Sequence, residues 1–292
     1  MHTKMHVDEV STDVDLVRRL LRAQMPDWSE LPLERVPSSG TDNALYRLGA
    51  DMVVRLPRIH WAVGGLEREL EWLPVLAPRL SVSVPVPLRR GEAGEGFPSP
   101  WAVYTWLPGG NPPLGIGDSV GLARDLAKFI RELRAIDLAG PECRRGRPLS
   151  TQDEATRRGL TQLERTIDVR AATRVWDAAL AAPEWSGIPV WAHGDLLPGN
   201  LLVDGDRLTA VIDFALVGRG DPACDLVAAW SVLSGEARAV LRSELDVDDA
   251  MWARGRGWAL TLAVAALPYY RETNPGFAAV ARHMLSELLV DC

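Results

Sequence analysis

Four apolar residues near the start of the chain lie three or four positions apart: Val10, Val14, Val17 and Leu21. This spacing, with a pair from Thr12 to Asp15 that resembles a capping box, predicts a helix over roughly residues 12–25. Residues 33–58 then predict strands, interrupted by a polar turn at 38–43 and by a second turn. The pattern indicates a small antiparallel sheet that follows the first helix.

A second helical repeat follows at residues 64–73, where Pro74 and Pro78 are expected to end or kink the helix. Two further apolar runs, residues 81–88 and 101–107, predict additional strands. A Pro- and Gly-rich run at 107–117 is the best candidate for a domain boundary. We therefore expect one domain over residues 1–106 and a second over 107–292.

The second domain is predicted to be mainly helical. A helical apolar face is formed by five residues, Leu122, Leu126, Phe129, Leu133 and Ile136. Further helical patterns cover residues 153–182 and, approximately, 223–233, 249–267 and 276–290. A β-hairpin is expected within this helical region, with its turn at Asp204 to Arg207. A β-rich first third and a mainly helical remainder indicate the α+β class.

Composition narrows the class of protein. The 292 residues are 47% hydrophobic and carry a net charge of -7, which is typical of a globular protein and unfavourable for binding nucleic acid. The three cysteines are far apart and predict neither a disulfide framework nor a zinc site. The most apolar run, residues 258–270, is too short to cross a bilayer. We expect a soluble cytoplasmic protein without a nucleic-acid or membrane partner.

Residues 190–215 combine polar and apolar residues in an unusual way. His193, Asp195, Asn200 and Asp213 stand among Val, Leu, Ile and Phe, where charged side chains are costly. The predicted hairpin would bring Asn200 and Asp213 to one end of its strands, and their oxygens suit Mg²⁺. Asp195, on the preceding loop, could accept a proton from a hydroxyl group. An H-G-D triplet or an Asp-Gly turn is unspecific by itself, but the ordered combination predicts phosphoryl transfer.

These motifs resemble those of the aminoglycoside phosphotransferase family, relatives of the protein kinases. The similar segments are HGDLLPGN at 193–200, VIDFA at 211–215 and GDPACDL at 220–226. The resemblance implies a bilobal, protein-kinase-like fold. The N-lobe, a small antiparallel sheet with one helix, would bind the nucleotide. The larger, mainly helical C-lobe would carry the catalytic loop and bind the acceptor. It implies a catalytic Asp195, metal ligands Asn200 and Asp213, and structural roles for His193 and Asp225.

The resemblance also implies nucleotide-binding residues in the first domain. The phosphate-covering turn would offer Ser39, Gly40, Thr41 and Asn43, although it lacks the kinase pattern G-x-G-x-x-G. Arg55 occupies the position of the usual lysine, and Glu69 is its expected partner. The Arg indicates either a working enzyme or a decayed site. The Thr105 carbonyl and the Leu107 N–H are expected to bind the adenine base.

The expected activity is O-phosphotransfer from ATP or GTP, with Mg²⁺, to a small molecule. Acidic residues of the second domain suit a cationic acceptor such as an aminoglycoside, although they could equally solvate helix faces: Asp246, Asp248, Asp249, Glu272 and Glu287. Tyr270 and Glu272 are candidate acceptor contacts.

Other acceptors remain open, namely a macrolide, a tuberactinomycin, homoserine, choline or a sugar. A nucleotide-binding pseudokinase and a metal-dependent hydrolase are the rival functions. The sequence leaves monomer and homodimer equally open.

Overall fold

The protein, as a computed structural model, is described for residues 9–37, 40, 42–114 and 116–290. Its chain divides into two units. The first unit comprises Met1–Pro108 and Ala210–Ala215, and the second comprises Gly109–Thr209 and Leu216–Cys292. The described part of the chain contains no helix of the length and apolarity needed to cross a membrane.

Antiparallel strands form the sheet of the first unit: β1 (Leu33–Arg35), β2 (Asn43–Leu48), β3 (Met52–Pro57), β4 (Pro87–Gly91) and β5 (Trp101–Thr105). Their order across the sheet is β1-β2-β3-β5-β4. The strands predicted between residues 33 and 58 are confirmed. In the register of β2 and β3, Leu45 faces Arg55, so these two side chains share one face of the sheet.

Alternation along β2 and β3 separates the core from the opposite face. Tyr46 and Val54 are fully buried in the core cluster, whereas Arg55 points to the other face because successive strand residues alternate. The core face packs against α1 (Val14–Gln24). The predicted first helix is confirmed, but its N-cap is Asp13, whose carboxylate accepts the Leu16 N–H at 2.7 Å.

The second helix, α2 (Ala62–Leu76), is longer than predicted. Pro74 does not end it, because this residue lies in the last turn, where the missing N–H removes a single hydrogen bond. Its buried positions include Leu66, Glu69 and Leu73. The helix therefore places one acidic side chain on its otherwise apolar buried face.

The strand predicted at residues 81–88 is wrong for most of its length. The strand begins at Pro87, and Ser83 forms only an isolated bridge to Ala210. Pro85 and Pro87 lack the N–H groups that ladder pairing requires, which explains the shift toward Gly91. The run at 101–107 is confirmed as β5, although this strand ends at Thr105.

Helices make up most of the second unit: α3 (Val120–Arg134), α4 (Asp153–Gln162), α5 (Val169–Ala181), α6 (Ala228–Ser231), α7 (Gly235–Glu244), α8 (Asp249–Tyr270) and α9 (Pro275–Val290). The helical stretch predicted at 153–182 is two helices, because Asp168 caps a new N-terminus. The first part of the stretch predicted at 223–233 is a 3₁₀ turn, Pro222–Val227. Sequence patterning missed α7, whose only buried residues are Ala237, Arg238 and Leu241.

Short strands lie between these helices. β6 (Val190–Ala192) pairs with β9 (Gly218–Gly220) in antiparallel register. β7 (Leu201–Asp204) and β8 (Arg207–Val211) form a two-stranded sheet, which confirms the predicted hairpin. Gly205 takes a positive φ of 60° in its turn, a conformation that glycine adopts without strain. Asn200 directly precedes this hairpin in the chain, and Asp213 follows it.

Candidate active site

In the first unit, Arg55 of β3 is joined to Glu69 of α2. Nη1 of Arg55 donates to both carboxylate oxygens of Glu69, each at 2.7 Å. The Glu69 side chain is completely buried, and that of Arg55 is 11% exposed. Glu67, two residues earlier on the same helix, is 45% exposed and pairs with Arg90 instead. The helix thus directs only one of these two acids toward Arg55.

Two further donors complete the surroundings of Glu69. The Tyr104 hydroxyl donates to Oε2 at 3.1 Å, and the Phe214 N–H donates to Oε1 at 2.8 Å. Neither partner was expected from the sequence, because each is distant along the chain. These hydrogen bonds replace the ones that the buried Glu69 carboxylate would otherwise form with water.

Asp213 and Asn43 occupy the other donors of the Arg55 guanidinium. Nη2 lies 2.9 Å from Oδ1 of Asp213. With the Asn43 amide oriented so that its oxygen faces Arg55, that oxygen accepts from Nε and Nη2 at 3.1 and 2.9 Å. Asp213 has a positive φ of 63°, a conformation that costs a non-glycine residue free energy and that marks functional sites. The Asp213 side chain remains 36% exposed.

The charges of this cluster support one another. Burial acts to lower the pKa of Arg55, but the carboxylates of Asp213 and Glu69 raise it by more, so the guanidinium stays charged. Burial raises the pKa of Glu69, while Arg55 opposes that shift. Burial and the negative charge of Glu69 hold the pKa of Tyr104 well above its usual value, so its hydroxyl remains a donor.

The other candidate nucleotide-binding residues of the first unit lie in the turn around Gly40 and at the end of β5. Arg58 donates to the Gly40 carbonyl at 2.9 Å, and its N–H donates to the Asp42 carbonyl at 2.8 Å. Ser39 and Thr41 lie outside the described residues. The Trp106 N–H is bound to the Asp51 carbonyl at 2.7 Å.

Beside Trp106, the Thr105 side chain and N–H both bond to Val86. The roles of the Thr105 carbonyl and the Leu107 N–H remain predictions.

In the second unit, His193 and Asp225 brace the loop that carries Asp195. Both backbone N–H groups before Asp195 donate to the buried Asp225 carboxylate, His193 at 3.0 Å and Gly194 at 2.8 Å. The Asp195 N–H donates to Nδ1 of the buried His193 ring at 3.1 Å. The His193 ring therefore acts as a hydrogen-bond acceptor for a backbone N–H of this loop.

The Asp195 side chain is held from two sides. Nδ2 of Asn200 donates to the Asp195 carbonyl at 2.8 Å and to Oδ2 at 3.0 Å. Arg145, which the sequence analysis missed, donates to Oδ1 of Asp195 and, at 2.9 Å, to the Gly194 carbonyl. The carboxylate is 21% exposed, so it remains accessible to a small molecule.

Asn111 is a second residue that the sequence analysis missed. Its amide nitrogen donates to the carbonyls of Pro198, Gly199 and Leu201 at 3.3, 3.0 and 2.9 Å. This side chain therefore ties the Pro- and Gly-rich run after Leu107 to the backbone around Asn200. Its position in a run of prolines and glycines gave no signal of this role.

The acidic residues proposed to attract a cation are largely engaged within the protein. Asp248 caps α8 by accepting the Met251 N–H at 2.6 Å, Asp249 pairs with Arg242, and Glu287 pairs with Arg238. Helix capping and the buried Arg238 thus compensate Asp248 and Glu287, whereas Asp249 is fully exposed and its surface pair compensates it only weakly.

Tyr270 lies at the end of α8, with its ring edge-on to Tyr269 and Phe277 at centroid distances of 4.7 and 5.0 Å. Glu272 is exposed just beyond that helix. Their acceptor contacts remain predictions. Across the described ranges, no group of three or more His, Cys, Asp or Glu side chains is arranged to hold a metal ion.

A family model described as the phosphotransferase enzyme family matches residues 34–258. The chain belongs to this family. The matched residues include Arg55, Glu69, Asp195, Asn200 and Asp213. A search of curated proteins finds no match.

Solved structures of phosphotransferases share the fold. The GDP and kanamycin complex of APH(2")-IIia is 20% identical, with a TM-score of 0.73, over 94% of this chain and 98% of that chain. The GDP complex of wild-type aminoglycoside 2'-phosphotransferase-IIIa is 19% identical, with a TM-score of 0.74, over 96% of this chain and 99% of that chain.

The apoenzyme of macrolide 2'-phosphotransferase MphH from Brachybacterium faecium is 24% identical, with a TM-score of 0.59, over 94% of this chain and 97% of that chain. The protein-kinase-like α+β fold is confirmed by these similarities, and the neighbours act on more than one class of antibiotic.

Gly194→Ala tests the backbone conformation of the loop that carries Asp195 in this phosphotransferase. Gly194 has a φ of 78°, and an added Cβ would lie 2.9 Å from Sγ of Cys143. We expect a loss of about 1–3 kcal/mol in the free energy of unfolding, measured by urea denaturation. Gly110→Ala is the control, because its Cβ would meet no atom within 4 Å. Equal stability of the two variants would contradict the strained backbone at Gly194.

Glu69→Gln tests the charge pairing of Arg55. The substitution keeps the shape of the side chain but leaves the buried guanidinium with one counterion fewer, so we expect a loss of about 3 kcal/mol in unfolding free energy. Glu67→Gln removes an exposed pair on the same helix and should cost about 0.5 kcal/mol or less. Denaturation of both variants measures the difference. A Glu69→Gln protein as stable as Glu67→Gln would show that the pair contributes little.

Proposed function

We propose that this family member transfers the γ-phosphate of ATP or GTP to a hydroxyl group of a small molecule. One observation carries the proposal: Asp195, the acid of the H-G-D motif, has an accessible carboxylate whose two oxygens are engaged by Asn200 and Arg145. A carboxylate held in this way suits a general base. The match to a phosphotransferase family model supports the same reaction.

In the proposed reaction, Asp195 orients the acceptor hydroxyl and takes its proton. The hydroxyl oxygen forms a bond to the γ-phosphorus as the bond from that phosphorus to the bridging oxygen breaks. The nucleoside diphosphate leaves with the bonding electrons. Since phosphoryl transfer requires mainly positioning and charge stabilisation, the protein has little other chemistry to supply.

Arg55 favours a working enzyme over a decayed one. Its guanidinium retains both of its carboxylate partners and the Asn43 amide. The other residues that the reaction needs are also present: Asn200 lies against Asp195, and Asp213 lies against Arg55, which supports a working site. We propose that this charge stabilises the nucleotide phosphates, together with the turn that contains Ser39, Gly40 and Thr41.

Asn200 and Asp213 fit the oxygen ligands of Mg²⁺. The Asn200 amide directs its nitrogen toward Asp195, and its oxygen accepts no hydrogen bond from the described residues. The Asp213 carboxylate is partly exposed. Such amide and carboxylate oxygens are the donors that Mg²⁺ prefers. When bound, the ion would neutralise phosphate charge.

The Thr105 carbonyl and the Leu107 N–H are proposed to bind the nucleotide base. The intervening Trp106 N–H already donates to the Asp51 carbonyl, so this N–H is engaged within the protein. Related phosphotransferases were solved with GDP, ADP or ATP, so both purines are candidates here.

For the acceptor, we propose first a cationic antibiotic of the aminoglycoside class, with Tyr270 and Glu272 as contacts. The APH(2")-IIia structure contains kanamycin. A macrolide is the second candidate. The pairing of Glu287 with the buried Arg238 favours it over a polycation, because this acid has less charge to offer a ligand.

An acceptor panel tests the function. Nucleotide consumption is measured with aminoglycosides, tuberactinomycins, macrolides and amino alcohols, and we expect turnover that depends on one of these classes. Asp195→Asn should lower that turnover by about 100-fold or more, because the base is lost. Asp204→Asn, an exposed position on the hairpin, is the control.

Three outcomes of the panel would contradict the proposal. Nucleotide binding without turnover would indicate a pseudokinase. Phosphate release independent of any acceptor would indicate a hydrolase. Full activity of Asp195→Asn would remove Asp195 from the mechanism.

A further inference from the structure

Arg145 is a cation in direct contact with the proposed base. Nη1 of Arg145 donates to Oδ1 of Asp195 and to the Gly194 carbonyl, so one guanidinium spans the side chain and the backbone of the H-G-D segment. The two side chains are 23% and 21% exposed, which places the pair at the border of the protein interior. Charge-assisted hydrogen bonds of this kind are stronger than neutral ones.

Backbone contacts fix the segment that carries Arg145. It belongs to a 3₁₀ turn, Arg144–Gly146, which is anchored on both sides. The Cys143 N–H donates to the Arg219 carbonyl at 3.0 Å, and the Asp221 N–H donates to the Gly146 carbonyl at 2.9 Å. Since β9 includes Arg219 and ends next to Asp221, the turn is attached to the strand that pairs with the start of the catalytic loop.

The two oxygens of Asp195 therefore have different donors. Oδ1 accepts from Arg145, and Oδ2 accepts from Asn200 at 3.0 Å. Two donors at opposite ends of a carboxylate fix both its plane and its distance from the loop. Each oxygen retains a lone pair for an incoming hydroxyl.

We propose that Arg145 is a positioning residue for the phosphoryl-transfer reaction, which holds the Asp195 carboxylate in the orientation that receives the acceptor hydroxyl. This inference rests on the proposed function of Asp195. Arg145 acts through Asp195 and the adjoining Gly194 backbone. Its loss should therefore slow the transfer step and leave nucleotide binding unchanged.

Steady-state kinetics of Arg145→Met and Arg145→Lys test this role with the acceptor found in the panel. We expect kcat to fall about 10- to 100-fold in Arg145→Met, with the KM for nucleotide within about twofold, because misplacing a reacting group by a short distance is costly. Arg145→Lys keeps the charge but has a shorter side chain without the planar guanidinium, so its kcat should be intermediate. Arg147→Met is the matched control, because Arg147 follows the same turn, is 48% exposed and pairs with Glu142.

Added guanidinium ion provides a readout that a purely structural role would not change. The ion should restore part of the kcat of Arg145→Met and have no such effect on Arg147→Met or Asp195→Asn. A fall in nucleotide affinity equal to the fall in kcat, or no change in kcat, would overturn the proposal. Failure of guanidinium to restore activity, when Arg145→Met is stably folded, would also overturn it.

A double-mutant cycle separates this inference from the proposed function. The unfolding equilibrium constants of Arg145→Met, Asp195→Ala and the double variant are measured without any acceptor. We expect the two substitutions to be non-additive by at least about threefold, as for residues in contact. Additive effects would overturn the pairing even in an active enzyme. A coupled pair in a protein that transfers no phosphate would instead overturn the proposed function.

Discussion

The buried guanidinium of Arg55 is the constraint on which the first unit depends. Because a buried cation is unfavourable without counterions, Glu69 and Asp213 must stay beside it, and this requirement links β3, α2 and the segment after β8. Glu69 in turn binds the Phe214 N–H, so the backbone next to Asp213 is fixed by the same carboxylate. One ion pair thereby sets the orientation of a proposed metal ligand and the charge proposed to face the nucleotide.

In the second unit, the buried groups that need partners are backbone N–H groups. Asp225 binds consecutive N–H groups, and His193 accepts the next one, so the loop before Asp195 has defined partners throughout. Of the polar residues at 190–215, His193 and Asn200 bond to backbone groups of this loop. Asp195 and Asp213 instead accept hydrogen bonds from side chains. His193, the residue that most resembles a catalytic base in the sequence, is buried inside this brace.

Period and motif order in the sequence predicted the strands of the first unit, most helices of the second, and the family. The pairing of Arg55 with Glu69 came from the family resemblance, and the helical period served only to choose Glu69 over Glu67. Period and motif order could not predict contacts between segments that are distant along the chain. Arg145, Tyr104 and Asn111 contact residues that lie 49, 35 and 87 positions away along the chain. The errors at Pro74 and at 81–88 have local causes, namely the position of a proline within its element.

Whether the Arg55 cluster belongs to a working phosphotransferase is tested most directly by following labelled γ-phosphate from ATP into an acceptor. Wild type and Arg55→Met are compared, and ATP binding is measured by calorimetry on the same preparations. We expect acceptor-dependent transfer by wild type and a loss of about 100-fold or more in Arg55→Met. A wild-type protein that binds ATP but transfers phosphate to no acceptor, or a fully active Arg55→Met, would contradict this expectation.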